Sequence, residues 1–340
     1  MMRVVLVSVG LLGLLLLSTV QQAFAWGATG HEYVSGIAAE TLPEEIPAFV
    51  RTPEAIADIA VLGRELDRSK GSGLTHDAER DPGHSLRMTD DGLIAGVVAL
   101  EKLPPTREAY DTELRSKGLT QYKAGYLPLA MVDGWQQLTK DFGYWRAAVV
   151  GAKTAASAAD RAWFDQDRIR RERIVIRDLG VWSHYPGDAS QPQHVSVHAD
   201  GWGNFPNPRG FSNTPGLHAH FEGEFVKANV RRDAVKAAVP PYKACGCTIQ
   251  DRVRAEIEAS FQQVVPFYEL ELKGAFRDNG TPEGAAFATA RLAAGATALR
   301  DMIVDAWRAS ADIVVGYPAV NVRNIETGKH ILTRDDFGGD

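Results

Sequence analysis

The sequence predicts an all-α fold, a single large helical domain with long loops, and three observations carry that reading. Apolar residues recur at intervals of three and four in four extended segments. No segment shows a convincing period-two alternation of the kind a half-buried strand needs. The stretches between the periodic segments are rich in Gly, Pro and Asn, the residues of turns and loops. Composition agrees: 45% hydrophobic and 24% charged residues in a chain of 340 are ordinary for a globular protein with a sizeable core. With no internal repeat and no low-complexity linker, residues 26–340 are expected to form one domain.

The elements follow in chain order. Residues 1–25 carry one charge, Arg3, then the apolar run VVLVSVGLLGLLLLSTV, then Ala23-Phe24-Ala25. This is the layout of a cleaved secretory signal, so the chain is expected to be secreted or periplasmic, with Trp26 as its mature N-terminus. No second apolar run of that length follows, so no stable membrane insertion is expected after cleavage. Residues 71–84 (GSGLTHDAERDPGH) read as a loop. Residues 127–152 read as a helix by spacing, and 173–185 as a more uniformly apolar, buried one. Pro186 disfavours a regular continuation and predicts a kink. Residues 201–216 (GWGNFPNPRGFSNTPG) read as a second long loop, and 248–272 and 283–311 as long helices. The segment 90–170 is expected to supply helical scaffold.

Charge and cysteine content narrow the function classes. The formal net charge is −6, and −7 without Arg3, which excludes a non-specific electrostatic grip on a polyanion. Any nucleic-acid binding therefore needs a local site. Cys245 and Cys247 are too few and too close for a disulfide framework; they are either a local disulfide or free thiols.

The histidines are concentrated. Seven of nine lie between His76 and His220, and His31 follows Trp26 by five residues. HYPGDASQPQH sets His184 and Asp188 four apart, on one face of a helix, with His194 six further on. LHAHFEGE offers two pairs at the same spacing, His218/Glu222 and His220/Glu224, and spacing does not choose between them. Upstream stand Asp67 and His84, with Glu65, His76, Asp77 and Asp81 as rivals. One such pair is commonly a surface ion pair. Several His/carboxylate clusters without a thiolate cluster suit zinc by ligand type.

Taken together, these motifs resemble the zinc-dependent nuclease S-one/P-one family, which shares its fold with bacterial zinc-dependent phospholipase C. The residues that carry the likeness are WGATGH (26–31), Asp67 and His84, HYPGDASQPQH (184–194), DGWGN (200–204) and LHAHFE (217–222). The central block matches H-x-x-G-D-x-x-Q-P-x-H throughout. The last block departs from the family's L-H-x-x-W-D, with Phe221 for tryptophan and Glu222 for aspartate. The resemblance implies the His218/Glu222 register and three zinc ions. Carried over by position, one ion takes Asp67, His84, His184 and Asp188. A second takes the Trp26 α-amine and carbonyl, His31 and Asp188, and a third takes His194, His218 and Glu222. A free amine at Trp26 requires cleavage before it, which gives the A-F-A-W junction a chemical purpose. Gly27 and Gly30 are expected to let this short segment fold tightly.

The implied chemistry is phosphodiester hydrolysis. Zinc lowers the pKa of bound water, and two neighbouring ions can share a hydroxide and stabilise both attacking and leaving oxygens. No G-x-S-x-G nucleophile is present. The expected catalytic residues are Asp67 and Asp188, with Lys70 (Arg68 as rival) as a cation facing the phosphate. Single-stranded DNA or RNA is the expected substrate, with Asn204 as a base contact and Trp202, with Phe205, as either a stacking platform or a loop-packing aromatic. Family nucleases carry an aromatic and an acid just after the loop histidine. Here Ser85, Leu86 and Arg87 follow His84, which keeps a phospholipase C-like action on phospholipid headgroups in play, as Glu222 does. A zinc-binding protein without turnover is the reading from a different class.

Overall fold

The structure is a computed structural model that describes residues 26–70, 72–277 and 279–338. The expected signal segment, residues 1–25, lies outside the described residues. The chain is mostly helical. Among the described residues the only ladders are two antiparallel hairpins of two-residue strands, Leu93–Ile94 with Val98–Ala99 and Val314–Val315 with Val320–Asn321. No described helix is long and apolar enough to cross a membrane.

The helices that position the site are, in order, α1 (Ala28–Glu40), α2 (Pro53–Leu62), α3 (Arg107–Ser116), α4 (Leu127–Thr154), α5 (Ala158–Trp182), α6 (His184–Ala189), α7 (Ile249–Phe261), α8 (Val264–Leu272) and α9 (Pro282–Ala309). Their starts are written in local chemistry. Thr52, Thr106, Ser157, Thr248 and Thr281 each accept a hydrogen bond from a backbone N–H in the first turn. Pro53 and Pro282 occupy the first turn, where a missing N–H costs nothing.

Two expected helices differ in extent. The buried 173–185 segment is the end of α5, which begins at Ala158 because Ser157 caps it and because its charged first half suits a solvent-facing side. The helix expected over 248–272 is two, α7 and α8, broken at Gln262–Gln263. The kink expected near Pro186 falls at Ser183, between α5 and α6.

α4 and α5 pack along much of their length. A Cβ on Gly134 would sit 1.8 Å from the Trp182 ring, so glycine allows this crossing, and the Trp182 indole N–H then donates to the Met131 carbonyl at 3.0 Å. α9 runs against α1, α4 and α6. The main apolar core lies among these helices and includes Trp26. A smaller cluster joins Ala147, Phe164, Val315, Val322 and Leu332. Cys245 and Cys247 form a local disulfide in an exposed segment.

The α4–α5 crossing buries one carboxyl at a cost. Asp141 of α4 is 1% exposed, accepts from the Gln137 amide at 2.9 Å and faces Asp178 of α5. Burial, with Asp178 adding and Gln137 and Lys140 opposing, raises it to about 6. Unfolded, it titrates near 3.9. Stability is therefore lost as pH rises from about 4 to about 6 and stays lower above that. Asp141→Asn is expected to be neutral at pH 4 and to stabilise by up to about 2–3 kcal/mol at pH 7. Urea unfolding at both pH values checks this; equal shifts at the two pH values would contradict it.

Candidate metal centre

The sequence-predicted side-chain ligands come from six places in the chain and converge. His31 comes from the first turn of α1, and Asp67 from the short turn Glu65–Ser69 after α2. His84 ends the turn Asp81–His84, His184 and Asp188 come from α6, and His194 from the turn Pro192–Val195. His218 and Glu222 come from the last block, where the chain passes from an α-helical turn (Leu217–His220) into a π-helical one (Phe221–Phe225). A widened turn of this kind is a common device at functional sites.

Three groups of side chains bring a ligand atom each to within 4.8 Å of one another: His31, His184 and Asp188; Asp67, His84 and His184; and His194, His218 and Glu222. The third is the set the resemblance implies. In the first two, His184 stands in both, whereas the implied sets place it in one. Its ring stacks on His31 with centroids 3.9 Å apart, which brings the two groups together. Asp188 touches both sides, with Oδ1 3.5 Å from His31 Nε2 and Oδ2 3.0 Å from His84 Nδ1.

The separations suit a metal better than direct pairing. His184 Nε2 lies 3.4 Å from Asp188 Oδ2 and 3.6 Å from Asp67 Oδ1, and His194 Nε2 lies 3.3 Å from Glu222 Oε1. Two ligand atoms about 2.0–2.1 Å from one tetrahedral ion are about 3.3 Å apart. Both nitrogens of His31, Asp188 Oδ1, His194 Nε2 and Glu222 Oε2 are buried without a hydrogen-bond partner. Buried polar atoms are normally satisfied, so this cluster of exceptions fits ligand atoms. Some contacts are closer, such as His218 Nε2 to Glu222 Oε1 at 2.6 Å and His184 Nε2 to His84 Nδ1 at 2.8 Å.

Backbone carbonyls fix the rings. His184 Nδ1 donates to Gly63 O at 2.8 Å, His218 Nδ1 to Ala199 O at 2.6 Å, and His194 Nδ1 to His84 O. An Nδ1–H held by a carbonyl leaves Nε2 as the lone-pair atom, the usual second shell of a zinc histidine. Gln191 adds a 2.6 Å hydrogen bond to Glu222 Oε1. None of these partners is visible in residue spacing, although Gln191 lies inside the central motif.

Without a metal the imidazoles divide: burial lowers His184 and His194, but Asp188, with Asp67 at the first and Glu222 at the second, raises both above the usual imidazole range, so these two rings supply the positive charge that a cation would replace. Burial, with His184 next, holds His31 well below the usual imidazole range, and burial with Lys70 lowers His84 to about 3, so both rings are neutral. Burial pushes Asp188 and Glu222 up, but His184 and His194 around the first, and His218 and His194 around the second, bring both below the ordinary carboxylate range. Neutral imidazole and ionised carboxylate are the ligand-competent forms. Lys70 Nζ lies 2.7 Å from Asp67 Oδ1, with its side chain 7% exposed. Burial lowers its pKa, but Asp67, Asp188 and Glu222 raise it more, so a cation is fixed beside the cluster.

Trp26 is fully buried, and its indole N–H donates to Ser190 Oγ at 2.9 Å. The next residue, Gly27, donates its N–H to the Glu222 carbonyl at 3.2 Å. The Trp26 main chain is thus held between the elements that carry Asp188 and Glu222. A Cβ on Gly30 would lie 2.9 Å from Trp26 Cβ, which shows why this turn takes glycine.

The rival residues stand outside these groups. Glu65 pairs with Arg68, His76 contacts Arg80, and Asp77 and Asp81 join no group of converging ligands. His220 hydrogen-bonds Glu224 and the Phe276 carbonyl. His218→Ala is expected to lower the zinc content by one ion per chain and His220→Ala to leave it unchanged, read by elemental analysis; the reverse pattern would contradict this register.

The two substrate-contact candidates differ in exposure. Trp202 is 5% exposed, stacks on His198 at 3.6 Å, packs on Phe211 and Tyr268, and donates its indole N–H to Pro206 O. That ring packs within its loop, the second of the two roles its sequence context allows. Asn204 is exposed on the same loop.

No family model and no curated protein matches the sequence. Among solved structures, the chain is similar to the alpha-toxin of Clostridium perfringens from avian strain SWCP, at 12% identity and a TM-score of 0.35 over 87% of this chain and 68% of that one. A likeness at that level carries no argument about this chain.

Proposed function

We propose that this protein is a zinc-dependent hydrolase of phosphodiesters. The observation that carries the reading is the set of three His/carboxylate groups, buried apart from the partly exposed Asp67, in which backbone carbonyls hold the ring nitrogens His184 Nδ1, His194 Nδ1 and His218 Nδ1 and turn the opposite nitrogens into the groups. Asp67, His84, His184 and Asp188, then Trp26 with His31 and Asp188, then His194, His218 and Glu222 would hold three zinc ions. When bound, zinc supplies Lewis acidity and a water ionised near neutral pH.

The chain's own residues do the rest. Asp188, fully buried between His31 and His84, joins the first two groups. Asp67 anchors Lys70, and the Lys70 ammonium is the fixed cation for the charge that builds on the phosphate oxygens. Lys70→Ala is expected to lower kcat by about 10²–10³ with metal content retained, the scale of one lost transition-state donor. Loss of metal in that variant would reassign Lys70 to holding Asp67.

Two substrates are in play. The phospholipid headgroup is supported by Glu222 and by the packing of Trp202 on His198, which leaves Phe205 as the exposed aromatic of that loop. Single-stranded DNA or RNA is the reading of the motif resemblance. Assay of the zinc-loaded protein on phosphatidylcholine, single-stranded DNA and RNA decides between them. Full metal loading with no turnover of any of these or of a chromogenic phosphodiester would leave a zinc-binding protein without catalysis.

A further inference from the structure

A cavity of about 700 Å³ shares a wall with the metal centre and takes no part in the chemistry above. Its lining includes Arg80, Arg107, Tyr126, Asp133, Trp182 and Tyr185. The Tyr185 ring is the shared wall: it packs edge-on to His84 and His184, with centroids 5.7 and 6.1 Å away, and also faces the cavity.

The charges do not cancel. Of the carboxylates in the lining, Asp178 pairs with Arg177 and Glu65 with Arg68. Asp133 remains, and burial raises its pKa, opposed by Arg107. Arg80 and Arg107 have no carboxylate partner among the described residues. Arg80 Nη1 contacts only His76 Nε2 at 3.3 Å. Arg107 lies over the Tyr126 ring at 3.9 Å and donates Nε to Gln121 at 3.1 Å, which holds the guanidinium in place and leaves its Nη groups free. The Tyr185 hydroxyl lines the cavity and has no hydrogen-bond partner among the described residues, so its O–H is free to donate. Two unpaired guanidiniums and a phenol O–H around one cavity are the donor set for a phosphate group.

We propose that this cavity is a phosphate subsite, in which Arg80, Arg107 and the Tyr185 hydroxyl hold a phosphate other than the one that is cleaved. Its use in catalysis rests on the phosphodiesterase reading; the binding itself does not. The occupant is either a second phosphate carried by the substrate or free phosphate, and the titrations below separate these sources.

The test is calorimetric titration of the processed, metal-loaded protein with inorganic phosphate, adenosine 5′-monophosphate and glycerol 3-phosphate. Wild type is expected to bind one more equivalent of phosphate than Arg107→Ala or Arg80→Ala, or to bind that equivalent at least about tenfold more tightly, the scale of one charge-assisted hydrogen bond. Arg115→Ala, on the same helix α3 but exposed and paired with Asp111, is the control and should match wild type. Tighter binding of the nucleotide or of the glycerol ester than of phosphate would identify the source as substrate, and equal binding would identify free phosphate. Circular dichroism establishes that each variant is folded, and Arg80, at the rim, provides a second route if Arg107→Ala fails to fold. Identical stoichiometry and affinity in wild type and both variants would overturn the proposal. A protein that hydrolyses nothing but keeps the Arg107-dependent site would refute the phosphodiesterase reading alone.

Discussion

Asp188→Asn is expected to empty the two joined metal groups and to reduce phosphodiester hydrolysis by well over a hundredfold. Changes to outer-shell partners of a metal site already cost about 10–100-fold, and Asp188 is the residue at the junction. Its carboxylate lies 3.0–3.9 Å from His31, His84, His184 and His194 with no solvent exposure. Asparagine keeps the shape and loses the charge, so helix content should be retained. In the metal-free protein the same change strands buried imidazoles without their counter-charge and should cost about 3–5 kcal/mol. Elemental analysis, kcat/KM on a chromogenic phosphodiester and chemical denaturation check the three parts. Full zinc content with wild-type turnover would remove Asp188 from the centre.

The second large effect concerns Trp26. An amide nitrogen has its lone pair delocalised into the peptide bond and is a poor ligand; a free α-amine is a good one. The buried Trp26 ring and the Gly27 hydrogen bond to Glu222 hold this residue beside the cluster. Blocking processing by Ala25→Arg is therefore expected to give a folded protein with activity down by about a hundredfold, the upper end of outer-shell losses. Proteolytic exposure of Trp26 should restore it. Equal activity before and after exposure would mean that WGATGH carries the family spacing without the amine's chemistry.

Helices with strong periodicity, such as α4 and α9, were legible in sequence because burial of one face writes itself into spacing, and Thr281 marks the start of α9 as well. The start of α5 was not, because its charged first half has no apolar stripe to read and only Ser157 marks it. At the centre, the four-residue spacings of His184/Asp188 and His218/Glu222 could be read, while the choice of His218 over His220 needed the family motif. The sharing of His184 between two groups, the carbonyls of Gly63 and Ala199 and the packing of Trp202 were not readable. They depend on backbone groups and on ring contacts that residue spacing does not encode, from the 4 residues between His198 and Trp202 to the 121 between Gly63 and His184. Arg107 and Tyr185 became visible for the same reason only once α3, α4 and α6 were placed around one cavity.

The most direct test is an anomalous diffraction measurement at the zinc edge on crystals of the processed protein. Three peaks are predicted, one within reach of Asp67, His84 and His184, one beside His31 and Asp188, and one among His194, His218 and Glu222. A map without peaks at these groups, from protein that hydrolyses phosphodiesters at full rate, would contradict the account.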